Sequence, residues 1–324
     1  VFVWVVDFWL SGSLSMALAT SPTDGPVARA VSHEVCDILF RGTVDAAGRA
    51  SPRHGAGTAA DSPLHWSDPA QTLVFLDWDD TLFPTSQICD HWGVPERLEQ
   101  MEQFELTKEQ VSDLARWQDA LFLCLRTMRS LSDRCVILTN AKPGWVERCL
   151  SCFAPDLQEA LSRSDGFSVV YAIEALSVRD SPGKPRGIPV MCSVRDDSAE
   201  EERRSHWTRT KFSAMRKEAK AFYSRHPEQT WKNIVSIGDA QYEREAAQDL
   251  AFRRRPPAHE RLRLKTLVTP GCPSIGELTH NLRRATILWP AYVKFDGDLD
   301  GDMNTPEGLQ AIADVLELPE LSEI

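Results

Sequence analysis

The chain has no surplus of basic charge. Its 36 Lys and Arg residues face 47 Asp and Glu, for a net charge of −11. A nucleic-acid-binding protein needs a basic face to offset phosphates, so nucleic acid is not an expected partner. The short runs Arg203-Arg204 and Arg253-Arg254-Arg255 are flanked by acids or loops and read as surface. Paired zinc-ligand spacing is missing too. Of eight cysteines, Cys149 and Cys152 form a CxxC pair that no second pair matches, which argues against zinc. Several of the others sit in apolar runs, as free buried thiols do, so a reducing compartment is expected.

The amino terminus lacks the basic region that should precede a secretory leader. Residues 1–19, VFVWVVDFWLSGSLSMALA, are apolar and end in Ala17-Leu18-Ala19, as a cleavage site would. Asp7 interrupts the run, however, and the first Met is Met16. Two readings stay open: a signal or anchor segment, or a stretch foreign to a cytoplasmic protein for which a membrane is no partner. Residues 20–68 are rich in Ala, Gly, Ser and Pro with little periodicity and are expected to be mostly disordered, with a short helix around VARAVSHEVCDILF. Hydrophobic content of 42% and charged content of 26% are globular values. A length of 324 residues allows one or two domains.

What the chain does have is concentrated in TLVFLDWDDTLFPTS, residues 72–86. Leu73, Val74, Phe75 and Leu76 read as a buried strand. It ends abruptly in Asp77, Asp79, Asp80 and Thr81. Capping or a solvated turn would need one carboxylate. Three in four positions repel one another, so a cation is expected nearby. Two further apolar runs end in the same manner. Cys135-Val136-Ile137-Leu138 ends in Thr139-Asn140, ahead of a helix, where a hydroxyl either caps or binds an anion. Ile234-Val235-Ser236-Ile237-Gly238 ends in Asp239, with Glu243 four residues on.

Asp77-x-Asp79-x-Thr81 resembles the first motif of the haloacid dehalogenase (HAD) superfamily. Thr139 and the Asp239/Glu243 pair look like its second and fourth motifs. DWDDTLFPTS, TNAKPGWVE and NIVSIGDAQYEREA together resemble a poorly characterised phosphatase-like group of that superfamily common in single-celled eukaryotes, over about residues 70–300. The resemblance implies that Asp77 attacks phosphorus, that Asp79 is general acid and base, and that Thr139 binds the phosphoryl group. Thr81 and Asn140 are then substrate-binding candidates. Asp77, Asp239, Glu243 and the backbone carbonyl near Asp79 would hold Mg2+. The motif-III cation normally follows a Trp directly. Here Thr208 follows Trp207, and Lys211 lies three residues on, within reach on a helix. Lys211 and Arg209 are the candidates.

The expected activity is Mg2+-dependent hydrolysis of a phosphomonoester through an aspartyl-phosphate, on a small molecule or a phosphoprotein. The alternative is a non-catalytic HAD-fold binding or regulatory module, with a calcium-responsive form also open. A cation within reach of Asp77 favours the enzyme. Trp78 is expected to pack.

The expected fold is α/β, a HAD-like Rossmannoid parallel sheet flanked by helices, with a small cap or none. Residues 1–68 form the leader or foreign stretch plus disordered segment, 69–290 the hydrolase domain and 291–324 an acidic tail. Strands are predicted at 72–77, 134–139, 167–173, 233–238 and 263–268. Helices are predicted near 107–131, 143–153, 155–163, 208–225, 241–251 and 273–288. Residues 83–106 leave room for a small flap, and 174–206 read as a loop-like insertion. In the tail, Asp296, Asp298, Asp300, Gly301 and Glu307 match an EF-hand loop. Pro290 is expected to interrupt its entering helix and Pro306 precedes Glu307, so a solvated acidic turn is preferred.

Overall fold

In the computed structural model, which describes residues 65–175, 197–225, 231–254 and 261–318 (side chains of 197–200 excepted), TLVFL forms β1, Thr72–Leu76, with every residue buried. Four more segments form β2 (Arg134–Thr139), β3 (Phe167–Tyr171), β4 (Asn233–Gly238) and β5 (Arg263–Val268). All pairings are parallel, and with a short sixth strand, β6 (Leu299–Asp302), the sheet order is β3-β2-β1-β4-β5-β6. Parallel strands need long crossovers, and helices supply them on both faces. They are α1 (Lys108–Leu131), α2 (Trp145–Phe153), α3 (Pro155–Ser162), α4 (Asp197–Tyr223), α5 (Gln241–Phe252) and α6 (Ile275–Lys294), and α7 (Pro306–Leu316) follows the last strand. The protein is thus α/β and Rossmann-like.

The strand order reverses between β1 and β4. Such a switch point opens a crevice at the carboxyl edge of a parallel sheet. Asp77 and Asp239 follow these two strands, and the register Leu76↔Ile237 sets them side by side. The opposite edge is clamped. Asn233 Nδ2 donates to Thr72 Oγ1 at 3.0 Å and to the Val293 carbonyl at 3.1 Å, while Lys265 Nζ donates to Asn233 Oδ1 at 2.5 Å. These buried bonds resist any slip of β1 against β4.

Three expectations are corrected. The 174–206 insertion does not extend to residue 206, because α4 starts at Asp197 rather than near 208. The Glu and Arg of SAEEERR are good helix formers and extend the helix backwards. Residues 176–196 lie outside the described residues, as do residues 1–64 with the leader and disorder readings. Pro290 does not end α6. It removes one backbone donor, yet Leu288, Trp289, Tyr292 and Val293 around it are buried, and that packing carries the helix to Lys294. Finally, residues 291–324 are not merely an acidic tail. LDGD forms β6 (Leu299–Asp302) beside β5, and α7 follows it.

The EF-hand candidate therefore does lie between two helices, but its acids are engaged elsewhere. Asp296 Oδ1 accepts from Arg263 Nε at 2.6 Å, and Asp298 Oδ1 from the Leu264 amide at 2.9 Å. Asp300 pairs with Arg244 and accepts from Thr266 Oγ1 at 2.7 Å. Among the described residues these acids form no group of converging ligand atoms. Calorimetric titration with calcium is expected to give no one-to-one isotherm in the micromolar range. Such an isotherm, lost in Glu307→Gln, would restore the EF-hand reading.

Residues 83–106 hold two short helical segments, Ser86–His91 and Leu98–Met101. Cys124, Cys135, Cys149 and Cys152 are buried free thiols. No helix among the described residues is long and apolar enough to cross a membrane.

Candidate active site

The loop after β1 is pinned before it presents any chemistry. Trp78 is fully buried and stacks on Phe83, with ring centroids 5.6 Å apart. Trp117 meets Phe83 edge-on and donates its indole N–H to the Leu82 carbonyl at 2.9 Å. Asp80 takes a left-handed backbone, φ +56°, which Asp tolerates better than most residues. Its carboxylate caps Ser86, accepting the amide at 2.9 Å and the hydroxyl at 2.5 Å. Asp80 is thus a loop brace, while Asp77 and Asp79 are differently employed.

Asp77 is 5% exposed and meets Lys211, which reaches in from α4. Lys211 Nζ lies 2.5 Å from Asp77 Oδ1, 2.5 Å from the Leu138 carbonyl and 3.2 Å from Glu243 Oε1. The cation expected near the carboxylates is therefore Lys211, and it is fully buried. The alternative, Arg209, is exposed. Glu243 folds back from the first turn of α5 and accepts the Ala240 amide on Oε2 at 2.9 Å. A Cβ at residue 238 would lie 2.7 Å from the Glu243 side chain, so this close approach requires Gly238.

Carboxylate oxygens of Asp77, Asp239 and Glu243 lie within 4.8 Å of one another. Burial pushes the Asp77 carboxyl well above its usual range; Lys211 opposes this, and Glu243, Asp239 and Asp79 reinforce it. Asp239 is pushed up to about 7 by burial, then by Glu243 and Asp80, against Lys211. Burial also raises Glu243, again against Lys211. Burial alone would lower the Lys211 ammonium, but Asp77 and Glu243 outweigh it and raise it. One ammonium thus leaves the carboxylates with negative charge unrelieved. An all-oxygen donor set of this kind suits a hard divalent cation. Asp77, Asp239 and Glu243 each offer it a carboxylate oxygen; Glu243 Oε1 lies 3.2 Å from Lys211 Nζ but accepts no hydrogen bond, while Oε2 takes the Ala240 amide.

Asp79 stands apart from that trio. Oδ1 accepts from Thr85 Oγ1 and from the Trp145 indole, each at 2.7 Å, and Oδ2 accepts from Thr139 Oγ1 at 3.0 Å. Asn140 follows Thr139. Its side-chain oxygen and nitrogen are buried with no hydrogen-bond partner, an unusual state that suits a ligand-facing amide. Thr81 makes no hydrogen bond to the carboxylates. It lines a small apolar cavity with Leu76, Cys124, Ile237 and Leu267, and its hydroxyl bonds to nothing.

Three neighbours lie in stretches the sequence singled out but carry no expected role. Thr85 and Trp145 hold Asp79 from two different segments, and no spacing rule links residues 66 apart. Tyr242 stacks on Trp207 with ring centroids 5.9 Å apart. Burial, then Glu243, Asp77, Asp239 and Asp79, pushes its phenol up, which places it in the field of the site. Comparison of the chain with protein-family models, curated proteins and solved structures found no match.

Proposed function

We propose that the chain is a HAD-type phosphatase, a Mg2+-dependent phosphomonoester hydrolase working through an aspartyl-phosphate on Asp77. The observation that carries this reading is the buried Lys211–Asp77 pair at 2.5 Å, set at the sheet's switch point beside Asp239 and Glu243. A cation within reach of Asp77 favours this reading over a non-catalytic binding module. Phosphoryl transfer needs such a cation, because nucleophile and phosphoryl oxygens are both anionic.

Asp77 and Asp239, with Glu243 beside them, would hold Mg2+, which when bound supplies charge neutralisation at the phosphoryl oxygens. The Asp77 carboxylate attacks phosphorus as the P–O ester bond breaks. Asp79 passes its proton to the leaving oxygen, which departs as an alcohol. Water then attacks the phosphorus of the aspartyl-phosphate and gives its proton to Asp79. The P–O bond to Asp77 breaks, phosphate leaves, and both carboxyl groups return to their starting state. Thr139 and Asn140, at the end of β2, are the proposed phosphoryl-binding side chains, and Lys211 offsets charge throughout. The substrate is a small phosphorylated molecule or a phosphoprotein.

The test is hydrolysis of p-nitrophenyl phosphate, then of phosphometabolite and phosphopeptide panels, by purified protein with Mg2+. Turnover is expected with Mg2+ and not in excess EDTA. Asp239→Asn is expected to lose it, and Glu243→Gln to lose less, because Glu243 braces Lys211. Full turnover in EDTA would contradict the proposal.

A further inference from the structure

We propose that Trp145 is a positioning residue for Asp79, fixing which carboxylate oxygen serves the reaction; the inference rests on the phosphatase reading above. Asp79 Oδ1 accepts two hydrogen bonds, from the Trp145 indole and from Thr85 Oγ1, each at 2.7 Å. Oδ2 accepts one, from Thr139 Oγ1 at 3.0 Å. These donors are not equivalent. A hydroxyl rotates and can accept as well as donate, whereas an indole N–H only donates. Oδ1 is therefore tied as an acceptor by a group that cannot reverse. Oδ2 faces a hydroxyl that can turn, so Oδ2 is the oxygen that exchanges a proton with substrate.

The indole is itself immobilised. Trp145 is 7% exposed at the start of α2, and Gly144 before it takes φ +86°, turning the chain sharply after β2. Phe83 meets the ring edge-on with centroids 6.4 Å apart, and the Arg148 guanidinium lies 5.6 Å from the ring centroid. Phe83 belongs to the loop that carries Asp77 and Asp79. Trp145 thus locks the helix after β2 to that loop by packing, and aims the acid by its single polar atom.

In the first step the Oδ2–H bond breaks as an O–H bond forms on the leaving oxygen and the P–O ester bond opens. A mis-aimed acid matters only when the leaving group needs that proton. An alkoxide needs it; p-nitrophenolate does not. Trp145→Phe keeps the ring contacts and deletes the N–H. The readout is kcat/KM, which covers only the steps through transfer to Asp77, for an alkyl phosphate and for p-nitrophenyl phosphate. In Trp145→Phe the alkyl-to-aryl ratio is expected to fall by at least about tenfold, part of the roughly 10²–10⁴-fold that a placed general acid contributes. Thr85→Val is expected to shift the ratio in the same direction and by less, since Trp145 still holds Oδ1. Any unfolded fraction lowers both substrates equally and cancels in the ratio. An unchanged ratio, whether both rates fall or neither does, overturns the inference while leaving the phosphatase reading intact. Wild-type protein that hydrolyses neither substrate overturns that reading, and this inference with it.

Discussion

Asp77→Asn is expected to reduce phosphate-ester hydrolysis to background while leaving the fold as stable as before. An amide cannot form the acyl phosphate, so no slower version of the same route remains. The expected loss is at least about 10⁴-fold, beyond the roughly 10²–10⁴-fold expected for removing the acid–base group in Asp79→Asn. Stability should survive because Lys211 is not orphaned. It keeps the Leu138 carbonyl at 2.5 Å and Glu243 at 3.2 Å. The carboxylate being removed is also an uncomfortable one. Burial raises its pKa, so the folded state resists its charge, and a neutral isostere relieves that resistance. Turnover of p-nitrophenyl phosphate and a thermal melt check the two halves separately. Unchanged turnover would remove Asp77 from the nucleophile role. A collapsed melt would mean that Lys211 depends on Asp77 alone.

Strands with one continuous apolar run and an abrupt polar end are legible in the sequence, and here those strands carry the site. The predicted spans 134–139, 233–238 and 263–268 coincide with β2, β4 and β5, and β1 stops one residue short of the predicted 77. A strand buried on both faces needs apolar residues at every position, so the run itself is the signal. β6 has no such run. LDGD is built from residues that strands disfavour, and it pairs because Thr266, Leu264 and Arg263 on β5 satisfy Asp300, Asp298 and Asp296 across the edge. That partnership is tertiary, so the acidic segment looks like a tail or a calcium loop from sequence alone. Lys211 was reachable by helical spacing, though only burial separates it from Arg209. Trp145 lies in the TNAKPGWVE stretch, but its role had no local signal, since its bond to Asp79 depends on how α2 leaves the sheet.

Lys211→Met is expected to be the opposite kind of lesion, one that costs stability as well as activity. Methionine keeps the length and apolar stem but removes the charge that Asp77, Glu243 and Asp239 share. Removing one partner of a buried ion pair costs about 3–5 kcal/mol, because the other charge stays buried without compensation. Against a typical total of about 5–15 kcal/mol, that is a large fraction. The deficit should depend on pH, with a definite sign. Asp239 already titrates at about 7 when folded, against 3.8 ordinarily, and Asp77 and Glu243 are likewise raised. Without Lys211 these values move further up. A carboxyl whose folded pKa lies above its unfolded value binds protons more tightly when folded, so folding stability falls as pH rises between the two values. For Asp239 in the wild type that window runs from 3.8 to about 7. Both proteins unfold to the same titrating state, so their difference changes only between the two folded values, from about 7 upward for Asp239, and urea midpoints for Lys211→Met, measured without metal, should lie further below wild type at about pH 9 than at about pH 6. Adding Asp77→Asn to Lys211→Met should restore part of the loss, because one of the clashing charges is gone, and that non-additivity separates electrostatics from a packing defect. A deficit that stays constant across this pH range, or a double variant whose losses simply add, would show that Lys211 is held for its packing and that the charge argument for the site is wrong.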